Sequence, residues 1–271
     1  MSLLELSGAG IRFGGIRAVS SLDLAVETDS LAALIGPNGA GKTTAFNLIT
    51  GIYEPTEGGI RFDAKPLKGL DPSARARLGI ARTFQNIRLF RDLSVLDNIR
   101  AAYVPALGYG LLGAIRRGRH FHAEEGEFRK RAELVLEETG LAPWAHSAAG
   151  SLPYGQQRRL ELARALATGP RLLLLDEPAA GMNPAEKQEL AALIRRLKER
   201  HRLTILLIEH DMRFVMGLSE HITVMDHGIR IADGTPDDIR ANPKVIEAYL
   251  GPDVPPAEMT EARRELGEKS L

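Results

Sequence analysis

A chain of 271 residues, 44% hydrophobic and 26% charged, has material for one large α/β domain or two small ones. Its 35 lysines and arginines balance 35 acidic residues, so charge gives no argument for a nucleic-acid partner. The absence of cysteine excludes disulfides and thiolate metal sites and fits a reducing compartment.

The amino-terminal MSLLELSGAG lacks the basic region and long apolar stretch of a secretory signal. Residues 1–35 read as strand-rich, with IRFGG (11–15) as a strand running into a turn and LAALI (31–35) as a buried strand. A glycine-rich loop follows, then a helix over about 42–50 stopped by Gly51. EPTEGGIRFDAKPL (54–67) reads as a turn and a return hairpin. From about 86 to 168 the pattern turns mostly helical. Ser94 and Asp97 have the spacing of an N-cap and its N3 partner, and EEGEFRKRAELVLEETG (124–140) is an amphipathic helix ending at Gly140. Strands and helices then alternate again: RLLLLD, a helix from Pro184 to about His201, TILLIE, a helix near 211–219, ITVMD, and a turn at DHG. No segment reaches the eighteen or so apolar residues of a membrane helix, so the expectation is a soluble chain or a peripheral subunit. The tail after Gly251 is polar and proline-bearing, and reads either as disorder or as a docking helix.

In RLLLLDEPAAGMNP (171–184) four leucines run directly into Asp176 and Glu177. Such a run suits a strand buried on both faces, and ending it in two charges is costly unless something uses them. Either both acids emerge into solvent, or they form a cation or substrate site at the carboxyl edge of a sheet. The loop upstream decides between these. GPNGAGKT (36–43) fits the phosphate-loop pattern, with Gly36, Gly41, Lys42 and Thr43 in its fixed positions and Pro37, Asn38, Gly39 and Ala40 between them. Glycines let successive amides turn inward around phosphate oxygens, while the helix that begins there, with Thr44 in its first turn, directs its positive end at them. The pattern gives Lys42 to the outer phosphates of a nucleotide and the Thr43 hydroxyl to Mg²⁺. Asp176 then reads as a second holder of hydrated Mg²⁺, and Glu177 as the group that orients or deprotonates the attacking water.

With these motifs in this order, the chain from about residue 4 to Gly251 resembles the ATPase subunits of ABC transporters. The resemblance implies an α/β fold: a P-loop NTPase core with a mostly parallel sheet, an N-terminal antiparallel part and an inserted helical subdomain. Its parts fall at 1–85 and 169–251 for the core and about 86–168 for the helical subdomain, with 252–271 as a tail. It implies that Phe13 stacks on adenine, that Gln85 in TFQN touches Mg²⁺ or water and faces the transporter subunit, and that His210 in LIEHD contacts the γ-phosphate. LPYGQQ (152–157) holds the signature position, whose helix, with Gly155 and Gln156, faces the γ-phosphate of a second ATPase subunit. Here Pro153 and Tyr154 replace the usual serine and first glycine. AAGMNP lies at the dimer-contact loop, with Asn183 for the usual aspartate; with Pro184 at N1 and Glu186 at N3, Asn183 is a good N-cap in any case.

The segment from Tyr103 to about Glu127 resembles the extra helical insertion of branched-chain amino acid importer ATPases, and the stretches RTFQNIRLF, YGQQRRLELARAL and GTPDDIRANPKVIEAYLG resemble that subgroup too. Within the insertion AIRRGRHFH (114–122) carries two histidines, too few ligands for zinc; it reads as a solvated basic turn, or as a contact for a partner or anionic lipid. The expectation is therefore an ATP- and Mg²⁺-dependent ATPase on the cytoplasmic face of the membrane. It would pair with a second ATPase subunit, two transmembrane permeases and an extracytoplasmic solute-binding protein, with no nucleic acid. A urea or lipid transporter, a soluble ABC ATPase acting on ribosomes or DNA, and a GTPase or kinase of another P-loop class are the rival readings.

Overall fold

Between Leu22 and Glu27 buried and exposed side chains alternate, Leu22, Leu24 and Val26 inward and Asp23 and Glu27 outward, the period-two pattern of a sheet with one wet face. In the computed structural model, which describes residues 1–106 and 119–250, this stretch closes β2 (Ile16–Glu27), paired antiparallel to β1 (Ser2–Phe13). The other edge of β1 takes β4 (Glu57–Phe62), which turns back into the short β5 (Lys65–Pro66), giving an antiparallel sheet of order β2-β1-β4-β5.

A different signature marks the second sheet. Every residue is buried in β3 (Leu31–Ile35), β7 (Leu172–Asp176) and β8 (Thr204–Ile208). Strands covered on both faces belong in a parallel sheet, and here the order is β10-β9-β3-β8-β7-β6. β6 (Ile80–Arg82), β7, β8, β3 and β9 (His221–Asp226) run parallel; β10 (Ile229–Gly234) pairs antiparallel to β9 at the edge. The mixed α/β architecture with a parallel sheet, an antiparallel sheet and helical segments is the one expected. β8 stops one residue short of Glu209, so the predicted strand TILLIE loses its last residue.

The chain divides into two compact units, one built from 1–82 and 171 onward and the other from Thr83–Pro170. The first unit carries both sheets, α1 (Lys42–Thr50), α2 (Pro72–Arg77), α6 (Pro184–His201), α7 (Met212–Leu218), α8 (Pro236–Ala241) and α9 (Pro243–Leu250). Phe46, Leu48 and Ile49 of α1 pack with Leu34, Leu172, Leu174 and Leu206 in its core. The second unit carries α3 (Val95–Arg100), α4 (Arg119–Glu138) and α5 (Tyr154–Ala167), with Val95, Ile99, Leu136, Leu141 and Leu160 in a core of its own.

Caps set the element ends. The Ser94 hydroxyl accepts from the Asp97 amide at 3.0 Å, and Asn183 and Glu186 form a reciprocal capping box at the start of α6, as their spacing predicts. α1 ends at Gly51 in a left-handed conformation, φ +79°. Arg75, fully buried, donates to its last carbonyls, those of Leu48 at 2.6 Å and Ile49 at 3.1 Å, to those of Leu67 and Leu70, and to Glu54. Five short elements, α2, β6, β10, α8 and α9, have no counterpart among those predicted from sequence. Each has at most eight residues, too few turns or alternations for a periodic signal. Residues 107–118 of the expected insertion, most of the basic turn, and the tail 252–271 lie outside the described residues.

Candidate nucleotide site

The loop after β3 is shaped by two glycines that nothing else can replace. At Gly36, φ +149°, a Cβ would stand 2.0 Å from the Met225 carbonyl oxygen; at Gly41, φ +98°, it would stand 2.5 Å from that of Ala18. Gly41 is also the N-cap of α1, and no side chain caps that helix end. The first-turn amides of α1 are thus left to an outside acceptor, and an anion is the acceptor the helix dipole favours. Lys42 opens α1. It is buried, and its ammonium donates back to the carbonyls of Gly36 at 2.7 Å and Pro37 at 2.9 Å. Burial pushes its amine below the usual range, against the opposing pull of the Glu177 and Asp176 carboxylates. Thr43 next to it is exposed and Thr44 half-buried. The outer face of the loop, Pro37–Ala40, borders a cleft of about 670 Å³ shared with the Asp226–His227 turn and with Lys244 and Glu247 of α9.

Strand order brings Asp176, Glu177 and His210 to the same sheet edge as this loop. β3 lies beside β8, and β8 beside β7, so the loop, His210 and the Asp176–Glu177 pair all follow the carboxyl ends of neighbouring strands. Open parallel sheets hold their ligands at that edge. Asp176, the last residue of β7, is 3% exposed. Glu177 takes up a left-handed backbone, φ +47°, and its amide donates to the Ile208 carbonyl at 2.9 Å. Its Oε2 lies 3.8 Å from Nδ1 of the exposed His210. Phe13 keeps 44% of its surface exposed and meets Tyr53 edge-on, ring centroids 5.0 Å apart. Gln85, Gly155 and Gln156 belong to the second unit; Gln85 is exposed, and Gly155 is buried in the first turn of α5.

Two residues of the site carry no motif. Arg82, at the end of β6, donates from Nη2 to the Asp176 carboxylate at 2.7 Å and from Nη1 to Asn47 Oδ1 at 2.7 Å. Its guanidinium carbon stands 5.4 Å from the Phe46 ring centroid. Glu209, 1% exposed, accepts from the Ala179 amide at 2.8 Å and from its neighbour His210 at 3.1 Å. It thereby ties the loop after Glu177 to the one that carries His210. Burial pushes the Glu209 carboxyl up, only partly opposed by those amides. Each lies at the end of an apolar strand, the position that makes Asp176 conspicuous in the sequence, but as a single charge rather than one of a pair.

Among the described residues no three or more His, Cys, Asp or Glu side chains cluster to hold a metal by themselves. Thr43 and Asp176 supply hard oxygen donors of the kind that suffice for Mg²⁺ when phosphates complete its shell. No described helix is long and apolar enough to cross a membrane.

Residues 19–180 match the family model described as ABC transporter, and residues 230–251 match that of the branched-chain amino acid ATP-binding cassette transporter. The chain is 49% identical to the high-affinity branched-chain amino acid transport ATP-binding protein BraF of Pseudomonas aeruginosa, over 92% of this chain and 98% of that one. It is 48% identical, with the same coverage, to the corresponding protein LivG of Escherichia coli K12. Among solved structures, an ATP-binding cassette of an ABC transporter in its ADP conformation superposes with a TM-score of 0.81 at 31% identity, covering 93% of this chain and all of that one. Family model, relatives and fold agree with the phosphate loop and the carboxylates at the sheet edge: this chain belongs to the ABC transporter family, as one of its ATP-binding subunits.

Proposed function

We propose that this chain hydrolyses ATP to drive import of branched-chain amino acids. It works on the cytoplasmic face of the membrane, paired with a second ATPase subunit, beneath two transmembrane permeases that receive solute from an extracytoplasmic binding protein. The names of relatives at 48–49% identity support the substrate class, and the match over residues 230–251 points the same way. In this reading 1–85 and 169–251 are the nucleotide-binding core, 86–168 the helical subdomain and 252–271 a tail.

The observation that carries hydrolysis is the pairing of Glu177 with His210, 3.8 Å apart, at the mouth of a loop whose lysine feels both carboxylates. Phe13 stacks on the adenine. The loop from Gly36 to Thr44 surrounds the phosphates with amides, and Lys42 exchanges its two carbonyl partners for phosphate oxygens. Thr43 and Asp176 would hold Mg²⁺, which would neutralise charge on the outer phosphates, and Gln85 keeps the role that the family resemblance gives it, toward Mg²⁺ or water. Glu177 accepts the proton of the attacking water, and His210 steadies the oxygens of the γ-phosphate. Gly155 and Gln156 serve the nucleotide of the partner subunit.

Uptake of labelled leucine by cells lacking this chain tests the reading. Uptake should be lost, return with the wild-type chain, and stay lost with Glu177→Gln. Undiminished leucine uptake in the deleted cells, with loss of uptake of another solute, would overturn the substrate assignment.

A further inference from the structure

Tyr154 stands where a glycine would leave the start of α5 bare, and its side chain has a partner that no glycine could have. One helical turn on, Arg158 lies on the same face of α5 with its side chain 4% exposed. Its Nε donates to the Tyr154 hydroxyl oxygen at 3.1 Å, and its guanidinium carbon lies 5.4 Å from the tyrosine ring centroid. The other nitrogens reach a different part of the same unit. Nη1 donates to the Phe84 carbonyl at 3.0 Å and to Glu161 Oε2 at 3.3 Å, and Nη2 donates to the Gln85 carbonyl at 2.6 Å. Glu161 closes the ring, its Oε1 accepting from the Phe84 amide at 3.1 Å.

A buried ion pair is seldom kept for stability, since an apolar pair of the same volume does as well. This pair is joined to three backbone groups of two consecutive residues outside helix and strand: the amide and carbonyl of Phe84 and the carbonyl of Gln85. The planar fork of arginine suits such a task, because it spans neighbouring carbonyls in a fixed geometry that lysine cannot copy. We propose that Arg158 is a positioning residue for Gln85, and that the Tyr154 hydroxyl sets the Arg158 guanidinium. The start of α5 is thereby wired to the backbone that carries Gln85. The inference deepens the functional reading above, in which Gln85 serves the nucleotide of its own subunit and the start of α5 that of the partner.

Amide exchange followed by mass spectrometry on the full chain without nucleotide tests the wiring directly. In Arg158→Met, exchange over residues 83–86 should rise about ten- to a hundredfold, the loss of a charged hydrogen bond, while Glu161–Ala167 and α1 keep wild-type protection. Tyr154→Phe, which removes one oxygen and folds whatever becomes of the arginine variant, should raise exchange at 83–86 about two- to tenfold. Adding it to Arg158→Met should change nothing more, because the hydroxyl acts only through the guanidinium. In steady-state assays both single variants should lose kcat and keep the KM for ATP. Unchanged exchange at 83–86 in Tyr154→Phe, fully additive effects in the double variant, or a rise spread over the whole chain would each overturn the proposal. The exchange measurement uses no ATP. A wild-type chain without ATPase activity would therefore sink the functional reading and leave the wiring of Arg158 to Gln85 intact.

Discussion

Glu177 holds a left-handed backbone that costs a non-glycine residue about 1–3 kcal/mol. Two neighbours hold it there: Asp176, locked at the end of β7 by Arg82, and the Ile208 carbonyl, which takes the Glu177 amide. The strain throws the glutamate out of line with its strand and toward His210. If that glutamate is the base, Glu177→Gln should cut ATP turnover about a hundred- to ten-thousandfold while nucleotide still binds. Lys42→Ala should weaken nucleotide binding itself. Steady-state ATPase assays and titration with a fluorescent nucleotide separate the two, and near-wild-type turnover in Glu177→Gln would refute the assignment. At this scale the sequence displays residues that belong to patterns. Lys42 is legible because its loop has fixed spacing, and Asp176 because two adjacent acids after four leucines are hard to explain otherwise. Arg82 and Glu209 are not, since a single charge says nothing of its burial until the strand beside it is known.

The helix behind the phosphate loop has its two ends treated in opposite ways. At its start α1 has only Gly41 and open amides; at its finish Gly51 turns the chain and Arg75 covers the last carbonyls. A rigid far end keeps the near end in register with β3. Arg75→Met should strip four backbone carbonyls of the guanidinium, two of which, those of Leu48 and Leu67, keep a backbone amide, and lower unfolding stability by about 1–3 kcal/mol. Urea denaturation measures this, and a loss under about 1 kcal/mol would mean that water takes the place of the guanidinium. The longer elements are legible from their own residues, as in the capped start of α6 and the wholly apolar run of β7. The six-residue α2 and α8 are not, although Asp71 with Pro72 and Thr235 with Pro236 cap them in a recognisable way. Their helical identity rests on the cap and on tertiary packing rather than on a repeating stripe.

For the whole molecule, alternating strands and helices announce the α/β class, but no local pattern announces that β3 lies between β8 and β9. That order depends on pairings between distant residues. A pairing of whole chains is expected as well, and here Pro153 matters. As the N-cap residue of α5 it brings neither a hydroxyl nor an amide hydrogen to the end of the helix. One missing hydrogen bond to a charged group should raise the ATP concentration needed for dimerisation by about ten- to a hundredfold. Pro153→Ser, made in the Glu177→Gln background so that ATP persists, should recover that factor in sedimentation across an ATP titration. An unchanged titration with an intact helix would show that the missing donor is not what limits dimerisation.

The placement of β3 also governs how the chain is made. The Asp29 amide meets the Thr204 hydroxyl across 175 residues of sequence, and Leu31 pairs with Ile205. At ordinary rates of synthesis the apolar strand that leads into the phosphate loop leaves the ribosome on the order of ten seconds before its neighbours exist. The unit Thr83–Pro170, by contrast, is one continuous stretch with a core of its own, made in full before β8 and β9. During translation the middle of this protein is complete while its beginning is still waiting for its end.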